Sequence, residues 1–373
     1  MTNVEQKVVD VMRSCGIDTA LTLPCDRMKN LFPLISENFN EIPLTREEDG
    51  IGIAAGLYMA GKRPVMVIQS TGLGNSINAL SSLHKTFEIP LPILASWRGP
   101  YKEGIEAQLH LGKCLPGILD SAGIPYVVAE TVEDLPKVKS AIEASFEKCT
   151  PYVILLSPRI WEGSTAKPFI PEISQEERKF NIACNTIIPK ATQSRFDMII
   201  GIVPYLKDKV VVANIGVPCK ELYAALDQPT NFYMLGSLGL ASSIGNGLAQ
   251  GQKREVVVLD GDGSLLMNPN TLGTVAQEFP DNLTIIAFDN SAHGSTGNQK
   301  TFSSCMDLEL LARVYGIKNT SKVSMPEELL EALEKDGRGP RFIHAVILAV
   351  NADVPNIPMS AVDIKKRFIS SLK

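Results

Sequence analysis

The chain has 373 residues, 45% of them hydrophobic, and a net charge of −5. That length suits two or three domains with sizeable cores. The lack of a basic stripe or an aromatic-interleaved Lys/Arg tract argues against a nucleic-acid partner, and no stretch is apolar for long enough to span a membrane. The seven cysteines (Cys15, Cys25, Cys114, Cys149, Cys184, Cys219 and Cys305) are an odd number with no CxxC spacing. That usage points to a reducing cytoplasm over a disulfide framework or a zinc site. The opening "MTNVEQKVVDVMRSCG" has acids and no apolar core segment, so it does not read as a secretion signal.

In chain order, Val4, Val8, Val9 and Met12 fall at helical spacing with Gly16 as a stop, and "IDTALTLPC" then reads as a strand. "EEDGIGIAAGLYMAG" is helix-like, its small residues permitting close packing. "RPVMVIQSTGLGNSINALSSLHKTF" reads as strand, glycine-containing turn and helix, "IPLPILASWRG" as the next strand, and "TVEDLPKVKSAIEASFEKCTPYVILLS" as helix and strand. Prolines and charges break the rhythm from 163 to 192, which reads as a linker. Beyond it come helix "FDMIIGIVPYLKD", strand "KVVVANIG", helix "PCKELYAALD", strand "NFYMLGSLG", helix "LASSIGNGLAQG" and strand "VVVLDGDG". Such alternation implies parallel sheets covered by helices. The expected fold class is α/β, with two doubly wound parallel-sheet domains, 1–162 and 193–373.

Two apolar runs in the second domain, "VVVLDGDGSL" and "LTIIAFDN", end in polar residues and deliver Asp262 and Asn290 to one end of a sheet. In an open parallel sheet that carboxyl end binds ligands. A nicotinamide oxidoreductase is disfavoured, because "GLGNSI" lacks the third glycine of the dinucleotide fingerprint and "GDGSLL" puts an acid where a pyrophosphate would sit bare. A metal between acid and phosphate removes that repulsion. Mg²⁺ takes oxygen ligands and is held by one or two protein groups plus phosphates. Asp262, the Asn290 amide oxygen and a backbone carbonyl of "SAHG", taken as that of Ala292, are the candidate ligands. Backbone N–H groups of Gly263 and Ser264 face the same anion.

The stretch "GDGSLLMNPNTLGTVAQEFPDNLTIIAFDN" resembles the metal and diphosphate motif of thiamine-diphosphate enzymes, with Asp289 where many members have Asn. "REEDGIGIAAGLYMAG", "GLGNSINALSSL", "YMLGSLGLASSIGNGLA" and "DNSAHGSTGNQ" narrow the resemblance to the decarboxylases of sulfopyruvate and phosphonopyruvate. It is closer to the former, which serve coenzyme M biosynthesis in methanogens and often have the two halves as separate subunits. The resemblance covers nearly the whole chain and implies a pyrimidine-binding first domain, a diphosphate-binding second domain and no middle domain. It also implies thiamine diphosphate and Mg²⁺ as cofactors, a small 2-oxoacid substrate, and a homodimer or homotetramer with active sites between chains.

Residue by residue, the resemblance makes Glu47 the acid that exchanges a proton with the cofactor's aminopyrimidine, leaving Glu48 and Asp49 as solvated acids. It places Gly236, Ser237 and Leu238 against the cofactor, Leu238 as the apolar prop of its bent shape. A substrate with a carboxylate and a sulfonate calls for convergent cationic and amide donors, for which Lys29, Asn75, Asn78 and Arg98 are candidates. Arg27 and Lys102 read as surface charges. His84, His110 and His344 read as structural, while His293, following the metal loop, is a candidate to bind a reacting carboxylate or relay a proton. A non-catalytic cofactor-binding subunit would be expected to have lost Glu47.

Overall fold

The computed structural model describes residues 3–166 and 187–373. The chain divides into two compact units, Met1–Lys179 and Phe180–Lys373. Most of the expected linker, residues 167–186 of 163–192, lies outside the described residues.

The first unit is a six-stranded parallel sheet built from β1 (Thr19–Thr22), β2 (Asn40–Pro43), β3 (Pro64–Gln69), β4 (Leu91–Ser96), β5 (Tyr126–Ala129) and β6 (Pro151–Leu156), in the order β2-β1-β3-β4-β6-β5. All six residues of β4 are buried, as expected of a strand covered on both faces. The second unit has β7 (Val210–Ala213), β8 (Asn231–Tyr233), β9 (Val256–Gly261), β10 (Leu283–Asp289), a two-stranded ribbon of β11 (Ala292–His293) and β12 (Gln299–Lys300), then β13 (Asn319–Val323) and β14 (Arg341–Val346). Its main sheet runs β13-β14-β10-β9-β7-β8. Counted from the first strand of each unit, both sheets have the order 2-1-3-4-6-5, so the units share one topology. The order reverses between the first and third strands, which places a ligand crevice between β7 and β9 in the second unit.

Two strands run straight into helices, and the turn expected after the first is absent. β3 passes directly into the helix Ser70–Ala79, so Gly72 and Gly74 lie inside a helix. β9 likewise passes into the helix Asp262–Met267, with Asp262 as its first residue, where an acid is favoured by the helix dipole. The first helix continues as a π-helical turn, Leu80–Lys85. It carries the fully buried His84, whose Nδ1 and Nε2 lie 3.1 and 2.9 Å from the carbonyls of Ile89 and Ile51. Burial lowers the His84 pKa to about 4, so it is a neutral structural group, as the sequence suggested. Among the described residues no helix is long and apolar enough to cross a membrane. The six described cysteines are free.

Candidate active site

β9 and β10 are parallel neighbours, with Asp260 beside Ala287 and Gly261 beside Phe288. The next residues of each, Asp262 and Asn290, therefore leave the sheet at the same edge. A cavity of about 150 Å³ opens there, lined by Asp262, Gly263, Ser264, Asn290, Ala292 and His293, and also by Leu238, Asn214, Ile215, Arg195 and Asn351. Asn214 and Ile215 follow β7, so the cavity occupies the crevice that the topology marks. A larger cavity, about 360 Å³, lies in the first unit, where Lys29, Arg27, Lys102 and Glu162 are among its lining residues. Its charges are largely satisfied by one another, Lys29 by Asp26 at 3.4 Å and Lys102 by Glu162 at 2.7 Å. The smaller cavity is the better candidate because its one lining carboxylate, Asp262, has no ion-pair partner among the described residues.

Asp262 is 3% exposed, and burial together with the charge of Asp289 raises its pKa. Two hydroxyls oppose that rise: Thr301 Oγ1 donates to Asp262 Oδ2, and Ser303 Oγ lies 2.8 Å from the same oxygen. Ser303 Oγ is also 2.7 Å from Asp289 Oδ1. One hydroxyl proton serves one carboxylate at a time, so the two acids compete for the Ser303 donor. Asp289 fares better. Burial pushes its pKa up, but the His344 and Ser303 hydrogen bonds outweigh that and hold it below the ordinary value, with His344 Nε2 2.9 Å from Asp289 Oδ2. His344 thus belongs to a constellation that the sequence did not reveal.

The remaining second-unit residues are placed as follows. Asn290 Oδ1 accepts from the Ala292 N–H at 3.1 Å, which leaves one lone pair for a ligand. The Ala292 carbonyl accepts from the Gly294 N–H at 3.1 Å. His293 lies over Gly263, where an added Cβ would come within 2.7 Å of its Cε1. The Gly239 N–H donates to Ser264 Oγ at 3.1 Å, tying the loop after β8 to the metal motif. In that loop Leu238 reaches the cavity, while Gly236 and Ser237 do not line it. The donor set of a carboxylate without an ion-pair partner among the described residues and an amide oxygen fits a hard cation such as Mg²⁺.

In the first unit, Glu47 opens the helix Glu47–Met59, and its side chain rests on the backbone of Gly72. A Cβ there would lie 2.3 Å from Glu47 Cγ and Oε1. Asn75 and Asn78, on the same helix as Gly72, are exposed. Glu48 pairs with Arg46 at 3.0 Å. Asp49 is fully buried, which corrects its reading as a solvated acid: it is on the helix face that packs inward with Gly50 and Ile53. Arg98 is also corrected. It is 5% exposed, its Nε and Nη2 grip both Glu103 oxygens at 2.6 and 2.9 Å, and its Nη1 donates to Gln69 Oε1 at 3.1 Å. A guanidinium so committed braces the ends of β3 and β4 and does not present itself to an anion.

Residues 2–116 match the N-terminal, and residues 215–345 the C-terminal, TPP binding domain of thiamine pyrophosphate enzymes. A sulfopyruvate decarboxylase of Methanosarcina acetivorans is 51% identical over all of this chain and 98% of its own length. A phosphonopyruvate decarboxylase of Streptomyces viridochromogenes is 30% identical over 95% of this chain and 91% of its own. The sulfopyruvate decarboxylase subunit beta of Methanococcus maripaludis is 42% identical over 48% of this chain and 98% of its own length, so in that relative half of the architecture is a separate subunit.

Proposed function

The chain belongs to the thiamine pyrophosphate enzymes, and from that membership we propose that it decarboxylates 3-sulfopyruvate to sulfoacetaldehyde and CO₂, a step of coenzyme M biosynthesis. The observation that carries this choice of substrate is the 51% identity along the whole chain to a sulfopyruvate decarboxylase. When bound, thiamine diphosphate supplies the electron sink for cleavage of the carboxylate bond. Asp262, Asn290 and the Ala292 carbonyl would hold Mg²⁺, and the Gly263 and Ser264 N–H groups would serve as donors to the diphosphate. Leu238 would be the cofactor's apolar prop, on a loop whose Gly236 and Ser237 would set the approach of that side chain.

Glu47 would be the residue that holds and exchanges a proton with the cofactor's aminopyrimidine, and its seat on Gly72 supports a fixed carboxyl position. His293, at the mouth of the cavity, receives the substrate carboxylate or relays a proton. Lys29, Asn75 and Asn78 supply donors to the substrate's anionic groups. The active form is a homodimer or a dimer of dimers, and sedimentation of an active monomer under turnover conditions would refute that. The odd cysteine count without CxxC spacing is the basis for placing the chain in a reducing cytoplasm.

A second reading, phosphonopyruvate decarboxylation, is favoured by the 30% identity to that enzyme over most of both chains. The test is CO₂ release from sulfopyruvate, phosphonopyruvate and pyruvate in parallel, with Mg²⁺ and thiamine diphosphate added. The highest kcat/KM with sulfopyruvate is expected. Preference for phosphonopyruvate would transfer the assignment to the second reading.

A further inference from the structure

Arg195 was not singled out by any sequence motif, yet it lines the same cavity as Asp262, Gly263 and Asn290. It is the first residue of the helix Arg195–Leu206 and is 7% exposed. Its Nε donates to Glu221 Oε2 at 2.6 Å and its Nη2 to Asn351 Oδ1 at 3.0 Å. Both partners are themselves fixed. Glu221 is fully buried and its Oε1 accepts from the Ala352 N–H at 3.0 Å. Asn351 Nδ2 donates to the Gly294 carbonyl at 2.9 Å, in the turn between β11 and β12. The guanidinium is thus locked on two edges, and Nη1 has no hydrogen-bond partner among the described residues.

A buried Arg–Glu pair by itself is a weak contribution to stability, because desolvation of both charges offsets their attraction. Stability alone therefore does not explain a guanidinium held at a cavity wall with one amino group unused. An anion in the cavity does. A planar fork with one edge free is suited to a phosphoryl oxygen, and a fork already immobilised loses little entropy when it binds one. We propose that Arg195 is a diphosphate-binding residue, contacting the same group that the metal motif holds. This rests on the cofactor reading above. It adds a cationic side chain to a site otherwise described by a metal and backbone N–H groups, and it makes Glu221 and Asn351 the residues that position that side chain.

The test uses the full chain with Mg²⁺ and calorimetric titration of inorganic pyrophosphate, thiamine diphosphate and thiamine. Arg195→Lys keeps the charge but loses the fork, and the paired change Arg195→Met with Glu221→Met removes both charges without leaving either buried alone. Both should bind pyrophosphate and thiamine diphosphate at least tenfold more weakly than wild type, while thiamine affinity and the ligand-free Tm of Arg195→Lys stay within error. Pyrophosphate affinity within twofold of wild type in either variant would overturn the proposal. So would equal losses for thiamine and thiamine diphosphate, since that marks a structural role. If the wild-type protein itself binds neither diphosphate ligand, the cofactor reading falls and the proposal falls with it, a result distinct from the others.

Discussion

Glu47 can be disturbed without being mutated. In Gly72→Ala the new Cβ would stand 2.3 Å from Glu47 Cγ and Oε1, whereas ordinary contact begins at 3.4 Å, so the carboxyl must retreat by about 1 Å. Because the obstacle is a side chain, from Glu47 Cγ outward, and not backbone, the fold should lose about 1–3 kcal/mol, the usual cost of overpacking. A misplacement of about 1 Å in a reacting group costs about 10²-fold in rate, or roughly 2.7 kcal/mol of barrier. Gly72→Ala should therefore lower kcat and the exchange rate of the cofactor's carbon-2 proton by about 10²-fold, with little change in cofactor affinity. Glu47→Gln alone should cost about 10²–10⁴-fold. The double variant should then be little slower than Glu47→Gln, because the alanine acts only through that carboxyl. Additive losses in the double variant, or wild-type exchange in Gly72→Ala, would refute the role given to Glu47.

Removing one of the hydroxyls that restrain Asp262, by Ser303→Ala, should raise the Asp262 pKa further and weaken Mg²⁺ about 10–100-fold. Titrations at a series of pH values should show the loss growing as pH falls, and a pH-independent loss would count against it. Asp262→Ala should abolish Mg²⁺-dependent retention of thiamine diphosphate, while Asn290→Ala should weaken it less, since water can replace a neutral ligand; calorimetry with unchanged affinity in Asp262→Ala would exclude the metal assignment. His84, with its pKa lowered from 6.5 to about 4, binds protons in the unfolded chain that it rejects when folded. Its contribution is complete above pH 6.5 and falls away between there and about pH 4, by up to about 3 kcal/mol. Urea midpoints of His84→Gln should be correspondingly less sensitive to pH than those of the wild type, and parallel profiles would refute this.

What the sequence made legible was local. Apolar runs such as Val256–Leu259 and Leu283–Phe288 are buried throughout, and a continuous apolar stretch of strand length in an alternating pattern has few other readings. Asp262 and Asn290 could be paired because each ends such a run. What was hidden depends on the third dimension. Gly72 looked like a turn residue, whereas its lack of a side chain makes room for Glu47, 25 positions away. His344 carries no local signal of its partner Asp289, because they meet through parallel pairing of β10 with β14. Arg98 looked available for an anion until folding set Glu103 against it, and Arg195 stood outside every motif. Asp49 shows the same limit in reverse, since an acidic triplet on paper does not reveal which member faces inward.

The identical strand order of the two units means that the fold offers the same crevice twice, as a duplicated design would. In the second unit the gap between the first and third strands stays open and is walled by Asn214 and Asp262. In the first unit its counterpart lies between β1 and β3, where Cys25 Sγ meets Gln69 Oε1 at 3.3 Å and Arg98 clasps the same oxygen. A thiol, an amide and a guanidinium close in the first unit the gap that is a cavity in the second. The first unit thus fills the matching gap with side chains and sets Glu47 at the start of a helix.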